Sequence, residues 1–207
     1  MKYVYEFIGT FFLVLTVGLT VLPPGGAGNF APLAIGSILA VMIYAGGHVS
    51  GGHYNPAVSL AAYLRGKLHS EDLGIYWLVQ LLGASAAAFL AVYLKGGYSP
   101  VAIELNPLKA LIAEFLFTFA LCFVVLNVAT ARATSGNSYF GFAIGFLVLA
   151  GAYAVGTISG AAFNPAVALG TSIMQISVWS NLWIYLVANL LGALAAAYLF
   201  KTAHPNE

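Results

Sequence analysis

The sequence predicts an all-α membrane protein with six transmembrane helices and two re-entrant half-helices, arranged as an inverted repeat. Three observations carry this. The 207 residues are 61% hydrophobic and 6% charged, against about 25% charged residues in a soluble domain. Two runs, 7–64 and 133–200, pass 58 and 68 residues without Asp, Glu, Lys or Arg. A segment of 14 residues recurs at an offset of 109.

The composition also excludes several classes. Seven Lys+Arg and six Asp+Glu cannot coat a water-facing surface of this size. Disorder needs low hydrophobicity and high charge. A net charge of +1 without a basic tract leaves no electrostatic footprint for nucleic acid. One cysteine, Cys122, allows no internal disulfide and falls short of a zinc-ribbon site. Nothing calls for a cofactor or a metal.

The spans follow from length. A helix needs roughly 20 apolar residues to cross a hydrocarbon core of about 30 Å. Six stretches qualify, at about 3–22, 31–47, 75–94, 108–130, 139–156 and 182–201. Turn chemistry separates them: Pro23-Pro24-Gly25-Gly26, Lys95-Gly96-Gly97-Tyr98-Ser99-Pro100 and Thr134-Ser135-Gly136-Asn137. No alternation of apolar and polar residues suggests barrel strands. The first stretch reads as a span rather than a cleaved leader, since no clear small-residue cleavage site follows it. Trp77, Trp179, Trp183 and Tyr98 fall near span ends and suit interfacial anchoring.

The repeat divides the chain at about 1–106 and 107–207. Gly47-His48-Val49-Ser50-Gly51-Gly52-His53-Tyr54-Asn55-Pro56-Ala57-Val58-Ser59-Leu60 matches Gly156-Thr157-Ile158-Ser159-Gly160-Ala161-Ala162-Phe163-Asn164-Pro165-Ala166-Val167-Ala168-Leu169. Ala34-Ile35-Gly36 matches Ala143-Ile144-Gly145, and Gln80-Leu81-Leu82-Gly83-Ala84 matches Asn189-Leu190-Leu191-Gly192-Ala193. Glu6-Phe7 matches Glu114-Phe115 at an offset of 108. Each half holds three spans, an odd number, so the second half sits upside down relative to the first. Inverted repeats of this kind are a transport architecture with the site at the midplane.

Two apolar stretches, 50–64 and 159–174, are too short to cross. In each, an irregular stretch with glycine leads into Asn-Pro. Asparagine favours the N-cap and proline the first helical position, so Asn55-Pro56 and Asn164-Pro165 each start a helix. About 10 residues give roughly 15 Å, half the core. Two such half-helices entering from opposite sides meet at the centre. Irregular backbone at membrane depth is tolerated where it lines a water-filled cavity. Gly51, Gly52, His53 and Tyr54, with Gly160, Ala161, Ala162 and Phe163, are therefore predicted to present carbonyls along a pore. Glu6 and Glu114 are intramembrane carboxylates that need partners. Their matched placement predicts that each accepts hydrogen bonds from the re-entrant loop of its own half; a proton relay is the alternative.

These residues resemble the aquaporin family of major intrinsic proteins over essentially the whole chain. The resemblance rests on two Asn-Pro-Ala boxes (Asn55, Pro56, Ala57 and Asn164, Pro165, Ala166), the Gly-His-Val-Ser-Gly-Gly-His lead-in and the opening Glu-Phe-Ile-Gly-Thr-Phe. It implies a pore in each monomer and a homotetramer in the lipid bilayer. It also implies that the asparagines, beside the positive ends of two half-helices, orient passing water and exclude ions and protons. Their side-chain oxygens cap, while their NH2 groups face the pore.

The resemblance further implies a second constriction at Ile35, Ala152, Ala161 and Val167. Water-selective members carry an aromatic residue, a histidine, a small residue and an arginine at those positions. Here Ile35, Ala152 and Val167 replace the aromatic, the histidine and the arginine. The ring is wide and lacks a fixed cation, which is locally similar to some plant tonoplast intrinsic members. The glycerol-facilitating branch keeps the arginine and follows it with Asp; here Val167 is followed by Ala168. The competing expectation is that Tyr153 or the 95–109 loop refills the space. His48 and His53 have counterparts in the family; packing and hydrogen bonding are expected of His48, with pH gating the alternative, and a backbone carbonyl of His53. Cys122 lies in mid-span and is not at position 161, where some members carry a mercury-sensitive cysteine.

The expected function is passive conduction of water or small uncharged solutes: glycerol, urea, ammonia, hydrogen peroxide and metalloid hydroxides are the candidates. An ion- or proton-coupled transporter built on inverted repeats is the alternative, and a structural protein with a closed pore is a third reading. No Ser-His-Asp set, His-x-x-x-His or Walker loop points to an enzyme. Lys2, Arg65, Lys67, Arg132 and Lys201 fall on one side of the six spans, with Lys95 and Lys109 on the other. This puts both termini in the cytoplasm. The absence of long tails suggests the plasma membrane of a prokaryote.

Overall fold

The structure, a computed structural model, describes residues 1–97, 102 and 104–207. Two long helices, α1 (Lys2–Val21) and α2 (Ala31–Ser50), lead into the short α3 (Pro56–Leu64) and the long α4 (Ser70–Leu94). The order long, long, short, long then recurs as α5 (Pro107–Ala129), α6 (Phe140–Ser159), α7 (Pro165–Ile173) and α8 (Leu182–Ala203). Among the described residues, the six long helices are apolar and long enough to cross a membrane. Large apolar side chains such as Phe89, Leu116 and Phe146 point out of the bundle, as a lipid-facing surface requires.

Three helix boundaries differ from those read in the sequence by three residues or more: the ends of α2 and α6, which run to Ser50 and Ser159 rather than 47 and 156, and the start of α4. Helix α2 continues through Gly46 and Gly47 to Ser50. It stops only where Gly51 takes a left-handed conformation, φ 90°, that a residue with a Cβ adopts at a cost. Gly160 ends α6 in the same way at φ 84°. Helix α4 begins at Ser70 rather than 75, with Glu71 and Asp72 in its first turn, where negative charge suits the helix dipole. Asp72 is buried against Lys2, 2.7 Å away, and Tyr3. A second ion pair, Arg65 with Glu207 at 2.7 Å, closes the same end of the bundle. The Arg65 guanidinium also lies over the Phe200 ring.

Small residues set the packing. A Cβ on Gly83 would lie 2.6 Å from the Phe7 carbonyl oxygen, and one on Gly192 would lie 2.8 Å from that of Phe115. Helices α1 and α4, and likewise α5 and α8, therefore approach backbone to backbone. Helices α2 and α6 meet in the same manner at Gly36 and Gly145. Each half-helix is also gripped by the other half: α3 packs on α8 and α5, and α7 packs on α4 and α1.

Gly36→Val tests the α2–α6 contact. The first added carbon would meet the Gly145 carbonyl oxygen at 2.6 Å and the Leu149 Cβ at 2.7 Å. Overpacking of this kind costs roughly 1–3 kcal/mol. Thermal unfolding of the purified variant should show a lower midpoint than the parent, and a matched Gly74→Val should not, because a Cβ there meets open space.

Candidate functional site

Asn55 and Asn164 start the two half-helices. Each has an extended backbone, φ −159° in both, and each precedes a proline at the first helical position. Asn55 Oδ1 accepts from Ala57 N at 2.9 Å. Asn164 Oδ1 accepts from Ala166 N at 2.9 Å and from Val167 N at 3.4 Å. The amide nitrogens reach across to the opposite half. Asn55 Nδ2 donates to the Phe163 carbonyl at 2.9 Å, and Asn164 Nδ2 donates to that of Tyr54 at 2.8 Å. An amide carries two N–H donors, so one on each asparagine has no protein partner in these contacts. Both side chains border a cavity of about 1100 Å³. It extends from Lys2, Lys67 and Arg132 at one end of the bundle to Val21, Ala31 and Pro32 at the other.

The re-entrant loops are oriented by their N–H groups. Gly52 N donates to Ser50 Oγ, while His53 N and Tyr54 N donate to Glu6. Ala161 N donates to Ser159 Oγ, while Ala162 N and Phe163 N donate to Glu114. With the N–H groups held inward, Gly51, Gly52, His53, Gly160, Ala161 and Ala162 border the cavity. Tyr54 and Phe163 correct the expectation, because they do not border it. Both are turned into the left-handed region, φ 49° and 47°, and are almost wholly buried. That turn aims their carbonyls at the asparagines of the opposite half, and the strain is held by the carboxylate bonds.

Glu6 and Glu114 are fully buried. Glu6 Oε1 accepts from Ser50 Oγ at 2.7 Å and His53 N at 3.0 Å, and its Oε2 from Tyr54 N at 2.7 Å and Gln80 Nε2 at 2.8 Å. Glu114 Oε1 accepts from Ser159 Oγ at 2.7 Å and Ala162 N at 2.9 Å, and its Oε2 from Phe163 N at 2.7 Å. With its amide oriented to satisfy its neighbours, Asn189 donates to Glu114 Oε2 at 3.1 Å and accepts from Asn164 N at 2.8 Å. Sequence reasoning gave no role to Gln80 or Asn189, nor to Tyr76 and Tyr185, whose hydroxyls donate to the Ser50 and Ser159 carbonyls at 2.7 Å. A signal was present: Ser50 and Ser159, Tyr76 and Tyr185, and Gln80 and Asn189 are each 109 residues apart.

Ile35, Ala152, Ala161 and Val167 all border the main cavity, on its outer half. Tyr153 does not refill it. Its ring is exposed and its hydroxyl donates to the Asn29 carbonyl at 2.8 Å. The 95–109 loop falls partly outside the described residues, as does Tyr98; of the described part, Leu105 borders only a separate chamber of about 20 Å³. His48 is exposed on the cavity wall, and its side chain makes no hydrogen bond to another described residue. His53 Nδ1 lies 3.2 Å from Ser59 Oγ. Trp77 is not an end anchor: it sits inside α4 and donates from Nε1 to the Pro56 carbonyl at 3.0 Å, bracing α3. Trp179 and Trp183 are exposed near the start of α8. Cys122 is wholly buried in α5, away from the cavity wall.

The comparisons with known proteins point one way. Aquaporin NIP1-4 of Oryza sativa subsp. japonica is 34% identical over 95% of this chain and 74% of its own length. Nodulin-26 of Glycine max is 34% identical over 97% and 76%, and aquaporin TIP1-2 of Zea mays is 34% identical over 95% and 83%. The aquaglyceroporin of Plasmodium falciparum superposes with a TM-score of 0.81 at 21% identity, covering 99% of this chain and 96% of that one, a likeness of fold. Residues 1–200 match the family described as major intrinsic protein. With paired half-helices capped by asparagines on one cavity, and with these relatives, the chain belongs to the major intrinsic protein family.

Proposed function

We propose that the protein is a passive membrane channel for water and small uncharged solutes that excludes ions and protons, with a wide constriction that lacks an arginine. The observation that carries this reading is the cavity itself. It passes both half-helix N-termini, and among the described residues its Lys, Arg and Asp side chains are confined to one end, at Lys2, Lys67, Asp72 and Arg132. Each N-terminus carries about half a positive charge, and two of them at the centre repel cations. The spare N–H on Asn55 and on Asn164 holds the oxygen of a passing molecule. Membership in a family of channels argues against an enzyme. A coupled transporter is disfavoured by Glu6 and Glu114, whose oxygens are all bonded to the re-entrant loops and their braces.

The two halves act as inverted repeats, which brings α3 and α7 to the centre from opposite faces. Five of the seven Lys and Arg sit at the end of the bundle that holds Lys2 and Lys201. This supports placing both termini in the cytoplasm. The family resemblance supports a homotetramer with one pore per subunit.

Asn164→Asp tests the central barrier. A carboxylate there offsets the positive helix ends. Voltage-clamped bilayers should show no protein-dependent current with the parent and a measurable cation leak with the variant. Currents in the parent that scale with protein content would overturn the ion-excluding reading.

A further inference from the structure

Among the described residues, the outer half of the cavity offers hydrogen-bond acceptors and hardly any donors. Its constriction side chains, Ile35, Ala152, Ala161 and Val167, have no polar hydrogen. Pro32, also on the wall, has no N–H. The backbone N–H groups of Gly160, Ala161 and Ala162 are committed to Gly156 O, Ser159 Oγ and Glu114 Oε1. At the start of α7 the N–H groups of Ala166 and Val167 are held by Asn164 Oδ1. The Thr171 hydroxyl borders the cavity, but its hydrogen goes to the Ala168 carbonyl at 3.0 Å. What remains polar on this stretch is oxygen: the carbonyls beside Ala161 and the lone pairs of Thr171. Among the described residues, donors return only at the centre, on Asn55 and Asn164.

We infer that this outer stretch selects among neutral solutes of equal size by their hydrogen-bond donors, favouring molecules rich in N–H and O–H over those that only accept. The inference rests on the channel reading above and adds a chemical criterion to it. A solute entering the ring sheds water. Its N–H and O–H groups find carbonyls, whereas its own acceptors find nothing until the asparagines. An unsatisfied polar group is costly in a dry setting, while a made hydrogen bond largely restores what hydration gave. The order opposes that of lipid, where each donor makes crossing harder.

Urea, acetamide and dimethyl sulfoxide each have four non-hydrogen atoms and one strong oxygen acceptor, and they carry four, two and no donor hydrogens. Their permeabilities are measured by light scattering on one preparation of vesicles holding the purified protein, with bare lipid subtracted and water flux recorded alongside. The expected protein-dependent order is urea, then acetamide, then dimethyl sulfoxide. Val167→Arg adds a fork of donors to the ring, and Ala152→His adds a neutral donor from another helix. The three solutes match in heavy-atom count, but dimethyl sulfoxide is the bulkiest, so narrowing alone would raise the urea-to-dimethyl sulfoxide ratio and only the added donors can lower it. In each variant the urea-to-dimethyl sulfoxide ratio should fall by about threefold or more, within the range of one hydrogen bond. Water flux without solute flux above lipid, a lipid-like order, or an unchanged ratio in both folded variants overturns the inference alone. Loss of water flux in the parent would overturn the channel reading on which it rests.

Discussion

Val167→Arg is expected to lower urea and glycerol permeability roughly tenfold more than water permeability, equivalent to about 1.4 kcal/mol. Val167 borders the cavity on the third residue of α7, and its backbone N–H is already bonded to the Asn164 cap. The side chain can therefore change without disturbing the cap. An arginine there carries a planar guanidinium with five donors. It fills space that Ile35, Ala152 and Ala161 leave open, and water, the smallest solute, is the least hindered. Adding histidine at Ala152 should enlarge the effect by closing the ring from α6. Both permeabilities are read on one preparation of vesicles from protein shown to be folded. An unchanged solute-to-water ratio would place the limiting constriction elsewhere on the cavity.

The second large effect is on folding. Glu6→Gln and Glu114→Gln should each sharply lower folded yield and thermal midpoint, with little change in solute selectivity of whatever protein survives. In Glu6 every accepted bond comes from a donor: two backbone N–H groups, a serine hydroxyl and the Gln80 amide. A glutamine turns one oxygen into an NH2 that faces donors, so at least one bond is lost and its partner is left bare. Losing a hydrogen bond to a charged group costs roughly 1.5–3 kcal/mol. In Glu114 the same substitution opposes Ala162 N or Phe163 N, which hold the second loop. Variants that fold normally but lose a pH dependence of transport would instead make these carboxylates a proton relay.

The spans and half-helices were legible because lipid imposes length and charge rules that composition records directly. The 58- and 68-residue gaps between charges leave few alternatives, and Asn-Pro marks a helix start by local geometry alone. Boundaries were less legible where a residue's role depends on its neighbours. Asp72 looks too polar for a span until Lys2 and Tyr3 are placed beside it. Gly46 and Gly47 look like helix breaks, yet Gly46 lies against the Tyr54 ring that the re-entrant loop turns inward. Trp77 reads as an interfacial residue until its indole is found on the Pro56 carbonyl. Gln80, Asn189, Tyr76 and Tyr185 were visible as repeat partners, but polar atoms in an apolar run do not name what they bond. Their partners lie on other segments of the fold, between 21 and 75 residues away in sequence. The carbonyls of Tyr54 and Phe163 went astray for a related reason: only the positive φ of those residues sends them across to Asn164 and Asn55.

The most direct test of the central claim is osmotic shrinkage of vesicles containing the purified protein, followed over temperature, with membrane conductance recorded on the same protein. A passive pore past Asn55 and Asn164 predicts water flux that rises with protein content, does not saturate with the gradient, has a lower activation energy than bare lipid and carries no current. Flux that saturates or needs an ion gradient would contradict the account, as would flux no faster than that of lipid alone.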